Sequence, residues 1–296
     1  MSQAAGLNLR RFVDCEMRLG EGPLWCPVTQ RLWWLDVADP HVYCADNQGQ
    51  LLHQWKVPKY PGSMALRPDG SVLLMSRHGP AVLQPSDGSV QPLDIPDLAL
   101  GDTRFNDGKC DRLGRFWCGT MDKRIAQPIG SLYRMDALQR LSEMDASWVT
   151  LANGIAWSPD NRTMYFADTT AFCIYAYDYD LAQGSVANRR VFARFAPGLG
   201  GPDGLTVDAQ GGLWCAMYDR AAIDHLDPLG QLVERIELPV LQPSSVIFGG
   251  ADLRTLFVTT ARMDLTEAQL HSQPWSGHVL CFEPGVAGLA EPRCAF

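Results

Sequence analysis

The chain repeats itself. A short apolar segment closed by a tight turn and followed at once by an aromatic or aliphatic strand recurs along its length, with second strands centred on Trp33, Leu73, Phe116, Tyr165, Trp214 and Phe257. These centres stand roughly 40 to 50 residues apart, the period of four-stranded propeller blades rather than of helical solenoids. One copy shows the layout. Residues 153–160 form a short apolar strand ending in a Ser-Pro-Asp-Asn turn, residues 163–168 the next strand, and β-rich runs at 173–179 and 190–195 flank the polar turn 182–185. The following copy places its four strands at 203–208, 213–217, 222–226 and 232–238. No long stretch carries apolar residues at i, i+3, i+4 and i+7, so helices are expected to be few and short.

Six copies predict an all-β fold: a six-bladed β-propeller of four-stranded antiparallel blades, one domain over residues 1–296. A ring must keep its first and last blades together, because an unpaired strand edge invites aggregation. The last unit, with runs at 246–248, 256–260 and 278–282, has no clear outer strand, whereas residues 11–17 precede the first blade without a unit of their own. The N-terminal strand is therefore expected to complete the sixth blade and close the ring.

Composition narrows the partners. An apolar content of 46% with nine Trp suits blades packed face to face through large flat rings. The net charge of −8, with Lys and Arg scattered, leaves no basic stripe, so neither nucleic acid nor an anionic membrane is an expected partner. The first ten residues lack a charged start followed by an apolar core, and nine cysteines without a Cys-x-x-Cys pair fit a reducing compartment, so the expected location is cytoplasmic. Familiar devices are missing: there is no Gly-x-Ser-x-Gly elbow, no His-Glu-x-x-His and no Gly-rich phosphate loop, and the six histidines have no metal-ligand spacing. Chemistry here must use oxygen ligands.

The repeat brings such ligands together. Innermost strands line a propeller's channel, so residues at their starts meet near the axis. Blade by blade these are Glu21, residues 61–63, Asn106, Asn153, Asp203 and Ser244-Ser245, all small or polar. Two carboxylates in a narrow, low-dielectric channel repel, and one stays protonated unless a cation sits between them. Glu21, Asn153 and Asp203 thus predict one divalent ion, with Ca²⁺, Mg²⁺ and Mn²⁺ fitting hard oxygen donors and Zn²⁺ or Fe²⁺ also open. Asn-Gly and Asp-Gly are also common turn formers, which gives Asn153 and Asp203 a purely local reading.

The motifs at 19–25 (Leu-Gly-Glu-Gly-Pro-Leu-Trp), 104–109 (Arg-Phe-Asn-Asp-Gly-Lys), 119–121, 130–133, 153–160 and 202–204 together resemble the senescence-marker-protein/gluconolactonase family of regucalcin-like sugar lactonases. The resemblance runs through nearly the whole chain, to 248–250 and 259–262. It implies a six-bladed propeller that opens the lactone ring of a sugar acid using one divalent metal, with Glu21, Asn153 and Asp203 as ligands and Arg104 and Asn106 as substrate contacts. It also implies a mechanism in which the metal polarises the lactone carbonyl and acidifies a water, with Asp203 directing or deprotonating that water. After residue 121 animal relatives carry acidic residues where this chain reads Asp122-Lys123-Arg124, and 218–222 departs from a Gly-rich pattern, so glucono-, galactono-, arabinono- and xylonolactone all stay open. Two other classes remain: a binding platform with a purely structural metal, and an ester or organophosphate hydrolase on the same scaffold.

Overall fold

The computed structural model of the chain describes residues 7–96 and 98–296. Six sheets of four antiparallel strands each stand around one axis. Their innermost strands are Gly20–Cys26, Pro61–Leu66, Thr103–Cys110, Ala152–Trp157, Gly201–Val207 and Pro243–Gly249, belonging to blades 1 to 6 in chain order. Four of these six are buried or nearly so along their whole length, while outer strands such as Leu51–Lys56 and Ser185–Arg194 are largely exposed. That gradient explains why inner strands read as continuous small and apolar runs: both of their faces meet other blades.

The ring closes as expected. Arg10–Val13 pairs antiparallel with Val279–Phe282, placing Arg10 opposite Cys281 and Val13 opposite Val279, and so becomes the outer strand of blade 6. Phe12, Val13 and Met17 are buried in the core between blades 6 and 1, where Phe12 meets Phe257 at a ring separation of 4.7 Å and Trp25 stacks on Phe257 at 5.5 Å. Between blades 3 and 4 the edge of one indole meets another, Trp117 on Trp157 at 6.4 Å. Large rings fill the wedges between twisted sheets, which is where the tryptophans were needed.

A polar tie repeats inside the blades. Asp111 and Asp208, each in the turn after an innermost strand, accept from the indole Nε1 of Trp117 and Trp214 at 2.9 Å, six residues on in both cases. Helix is scarce. Among the described residues the one α-helix is Glu267–Ser272, capped by Thr266 in a reciprocal box with Gln269.

The C-terminal segment crosses the end of the channel formed by the ends of the innermost strands. Gly288 bridges to Asp208, the Cys294 N–H donates to the Leu66 carbonyl and the Ala295 N–H to the Gly114 carbonyl. Glu291 pairs there with Lys109 at 3.3 Å, and Lys109 also donates to the Leu205 carbonyl. The opposite end, where the innermost strands begin, is where Glu21, Asn153 and Asp203 lie.

Candidate metal and active site

Each innermost strand slips register near its start. Paired residues run from Glu21↔Leu35 to Leu24↔Trp33 in blade 1, from Phe105↔Thr120 to Gly108↔Cys118 in blade 3, from Ala152↔Asp168 to Ile155↔Phe166 in blade 4 and from Pro202↔Met217 to Leu205↔Cys215 in blade 5. Blades 2 and 6 slip at Pro61/Ser63 and Pro243/Ser245. In every blade the inner strand carries one residue more than its partner, a bulge that bends the strand and re-aims its side chains. Glu21, Asn106, Asn153 and Asp203 sit at these bulges. Asn153 and Asp203 therefore lie inside strands, and the turn reading of Asn-Gly and Asp-Gly does not hold.

The glycines beside them serve close approach. A Cβ on Gly154 would stand 2.3 Å from the Leu205 Cγ and 2.5 Å from the Asp203 carbonyl oxygen, and one on Gly204 would stand 1.9 Å from the Ser245 hydroxyl. Blades 4, 5 and 6 can meet this tightly at the axis only without side chains there. Small residues on blade 6, Ser244 and Ser245, separate the blades that carry Glu21 and Asp203.

The amide of Asn153 is held in one orientation. Thr169 donates its single hydroxyl hydrogen to the Pro202 carbonyl at 2.8 Å, so it must accept from Asn153 Nδ2 at 2.7 Å. The Asn153 Oδ1 then receives Asn106 Nδ2 at 2.8 Å and keeps a second lone pair. Asn106 gives its other hydrogen to the Ala152 carbonyl at 2.7 Å, and its Oδ1 accepts from Arg104 Nη1 at 2.7 Å. Asn106 thereby joins Arg104 to Asn153.

The carboxylates are under stress. Burial, then the nearby charge of Asp107, pushes Glu21 up to about 8 from an ordinary 4.5, against the opposing pull of the Gly22 N–H and Arg104. Asp203 lies well above the usual carboxylate range, first through burial and then through Glu21, Asp107 and Asp219. Its Oδ1 is buried with no hydrogen-bond donor. An orphaned carboxylate oxygen is costly, and a positive ion is the group that would satisfy it.

Asp107 was missed in the sequence. Regular strand alternation puts neighbours on opposite faces, so Asn106 and Asp107 cannot both turn inward without the bulge. Burial raises Asp107 to about 6, with Lys109 pulling it back. Its charge opposes the ionisation of Glu21 and Asp203. Among the described residues no three His, Cys, Asp or Glu side chains are grouped to hold an ion. A donor set for one divalent ion must therefore include the Asn153 amide oxygen beside Glu21 and Asp203, a hard-oxygen set that fits Ca²⁺, Mg²⁺ or Mn²⁺.

Asp122 is committed elsewhere. Its two oxygens accept the N–H groups of Arg124, Ala126 and Gln127, and these bonds hold it below the usual carboxylate range. It shapes the loop after 122. Asp219 instead accepts from Gln242 Nε2 at 2.9 Å. A surface cleft of about 480 Å³ lined by Leu199, Asp219, Arg235 and Leu241 opens on blade 5 but contains none of Glu21, Asn153 or Asp203.

Residues 19–262 match the SMP-30/Gluconolactonase/LRE-like region. The chain belongs to that family. Its relatives in this family include a 6-deoxy-6-sulfogluconolactonase from Pseudomonas putida, 35% identical over 278 residues that cover 94% of this chain and 95% of the relative. An L-arabinolactonase from Azospirillum brasilense is 34% identical across 96% of this chain and 94% of its own length. Among solved structures, a calcium-binding protein, regucalcin, from Agrobacterium tumefaciens superposes with a TM-score of 0.91 at 27% identity, covering 98% of both chains. The family's propeller is the fold found here.

Proposed function

We propose that the protein is a divalent-metal-dependent lactonase that opens the ring of a sugar lactone to the free acid. The observation that carries this reading is the unbonded Oδ1 of Asp203, buried beside Glu21 at the open end of the channel. Lactonase names recur among relatives aligned over more than nine-tenths of this chain, which supports the reaction type.

Glu21, Asn153 and Asp203 would hold the ion. Bound there, it would polarise the lactone carbonyl and lower the pKa of a water. With Oδ1 on the ion, Asp203 would direct or deprotonate that water through its other carboxylate oxygen. Asn106 acts as a positioning residue, because both of its amide hydrogens are already given to Ala152 and Asn153. It fixes the amide carbonyl of Asn153 and the guanidinium of Arg104. Arg104 spends Nη1 on Phe105 and Asn106, leaving Nη2 and Nε to donate in parallel to substrate oxygens.

The test combines metal analysis of purified protein with a panel of sugar lactones, following acid release in weak buffer. Hydrolysis that vanishes with chelator and returns with a divalent ion is expected. If no lactone opens while the melting temperature still responds to chelator, the ion is structural and the reading fails; turnover of simple esters or phosphotriesters alone would move the activity to another class.

A further inference from the structure

Beside the metal ligands the mouth of the channel carries two arginines, on blades 2 and 3, that form no ion pair among the described residues. Arg104 on blade 3 and Arg77 in the hairpin turn of blade 2 both lie against the ring of Tyr60, with guanidinium carbons 5.6 and 5.5 Å from its centroid. Such contacts are attractive, but two like charges on one ring also repel each other. Among the described residues neither arginine takes part in an ion pair, and the Arg77 guanidinium makes no hydrogen bond. Arg189 shows the ordinary arrangement for comparison: it sits 4.0 Å over Trp148 and is neutralised by Asp145 at 2.7 Å.

The scaffold holds this pair in place. Tyr60 adopts a left-handed backbone with φ of 55°, a conformation disfavoured for a residue with a bulky side chain. Its carbonyl accepts the Arg77 N–H at 3.2 Å, which ties the loop before blade 2's innermost strand to the turn that carries Arg77. Hydrogen bonds then run inward from Arg104 to Asn106 and from Asn106 to Asn153. The order outward from the ligands is therefore Asn153, Asn106, Arg104, Tyr60 and Arg77. A lactone whose carbonyl is held at the ligands and that lies along this line of contacts would bring the end remote from its carbonyl to Arg104 and Arg77.

We infer that Arg77 and Arg104, spaced by Tyr60, form a subsite for an oxyanion on the substrate, so that the preferred lactones carry a carboxylate, sulfonate or phosphate at the end away from the ring carbonyl. This rests on the lactonase reading. The guanidinium fork suits any of these groups, because each offers two or more oxygens in one plane or face. An anion there relieves the repulsion between the two arginines, while Asp203 and Asp219 on blade 5, across the ring from blade 2, repel it. The charge pattern thus sets substrate orientation as well as class.

The metal-loaded enzyme is assayed with D-gluconolactone and with its 6-phospho and 6-sulfo forms, and with the lactone of glucaric acid, which carries a carboxylate. At least one anionic lactone is expected to exceed the neutral one by about tenfold or more in kcat/KM, a factor of ten being about 1.4 kcal/mol. Salt should narrow the gap, and which anion leads identifies the group. Arg77→Gln should lower the anionic-to-neutral ratio by about tenfold, and Arg77→Lys should restore part of it; since Arg77 is exposed, an unchanged melting midpoint is expected. Equal kcat/KM for all four lactones, or a ratio unmoved in Arg77→Gln, overturns the subsite while leaving the lactonase reading intact. If no lactone is opened, the lactonase reading fails, and calorimetry with 6-phosphogluconate against gluconate decides the subsite: tighter binding of the phosphorylated acid, lost in Arg77→Gln, supports it, and equal binding overturns it.

Discussion

Stripping divalent ions should make the protein progressively less stable as pH rises from about 5 to 8. Glu21 has an ordinary value of 4.5 and is held at about 8 in the folded ion-free chain, first by burial and then by Asp107. Between those values the folded state binds a proton that the unfolded state has released, so stability falls with rising pH; below 4.5 both states are protonated, and above 8 the loss is complete. The full interval corresponds to at most about 5 kcal/mol, and relaxation or water entry around the acids reduces it to roughly 2–3 kcal/mol. At about 2–4 °C per kcal/mol for a large domain, the midpoint should drop by roughly 5–10 °C across the window. Carboxylates held low by hydrogen bonds, such as Asp136 and Asp208, lose their contribution only at more acid pH and do not mask the trend. Thermal melts of chelator-treated protein at several pH values, with and without added divalent ion, measure it. The gap between the loaded and stripped forms should widen with pH, and Glu21→Gln should flatten the stripped curve. Parallel slopes for stripped wild type and Glu21→Gln would refute the assignment of Glu21 as a buried acid opposed by its neighbours.

Asp203→Ala should abolish both ion binding and lactone hydrolysis, read by calorimetry and acid release; wild-type turnover would remove Asp203 from the chemistry. Asn106→Ala should lower kcat by about tenfold or more while retaining an ion, because it frees Asn153 and Arg104 without removing a ligand, and metal content with kinetics checks it. Gly154→Ala places a methyl 2.3 Å from the Leu205 Cγ and 2.5 Å from the Asp203 carbonyl oxygen. It should cost roughly 1–3 kcal/mol and weaken ion binding as blades 4 and 5 are wedged apart, measured by denaturant unfolding and calorimetry. Deleting residues 1–18 removes buried Phe12, Val13 and Met17 and leaves the Val279–Phe282 strand as an open edge. Each of those side chains is worth about 1.5–3 kcal/mol, so a large fall in the melting midpoint is expected.

Much of this was legible in the chain because a propeller is periodic. Equivalent residues in each copy occupy equivalent places, so the spacing of Trp33, Leu73, Phe116, Tyr165, Trp214 and Phe257 was enough to define six blades, and Glu21, Asn153 and Asp203 could be matched by position alone. The closing strand followed from a leftover segment and a missing edge. Thr169, Tyr60 and Arg77 were not legible, since none is marked by composition or by a motif, and Asp107, although inside the motif at 104–109, was hidden because regular alternation would turn it away from Asn106. Thr169 and Tyr60 lie in connecting loops, and Arg77 becomes notable only when the Arg104 of another blade lies against the same ring.

The sequence by itself determined the number of blades, the closure of the ring and the residues that reach the axis, because local strand patterning and repeat period need no knowledge of distant contacts. Tertiary structure alone decided which way those residues point and what surrounds them. One-residue bulges turn Asn106 and Asp107 toward the axis together, Thr169 sets the face of the Asn153 amide, and packing leaves one oxygen of Asp203 without a partner. Each of these depends on groups from different blades meeting at short range, and the electrostatics of a buried site are set by those distances rather than by order along the chain.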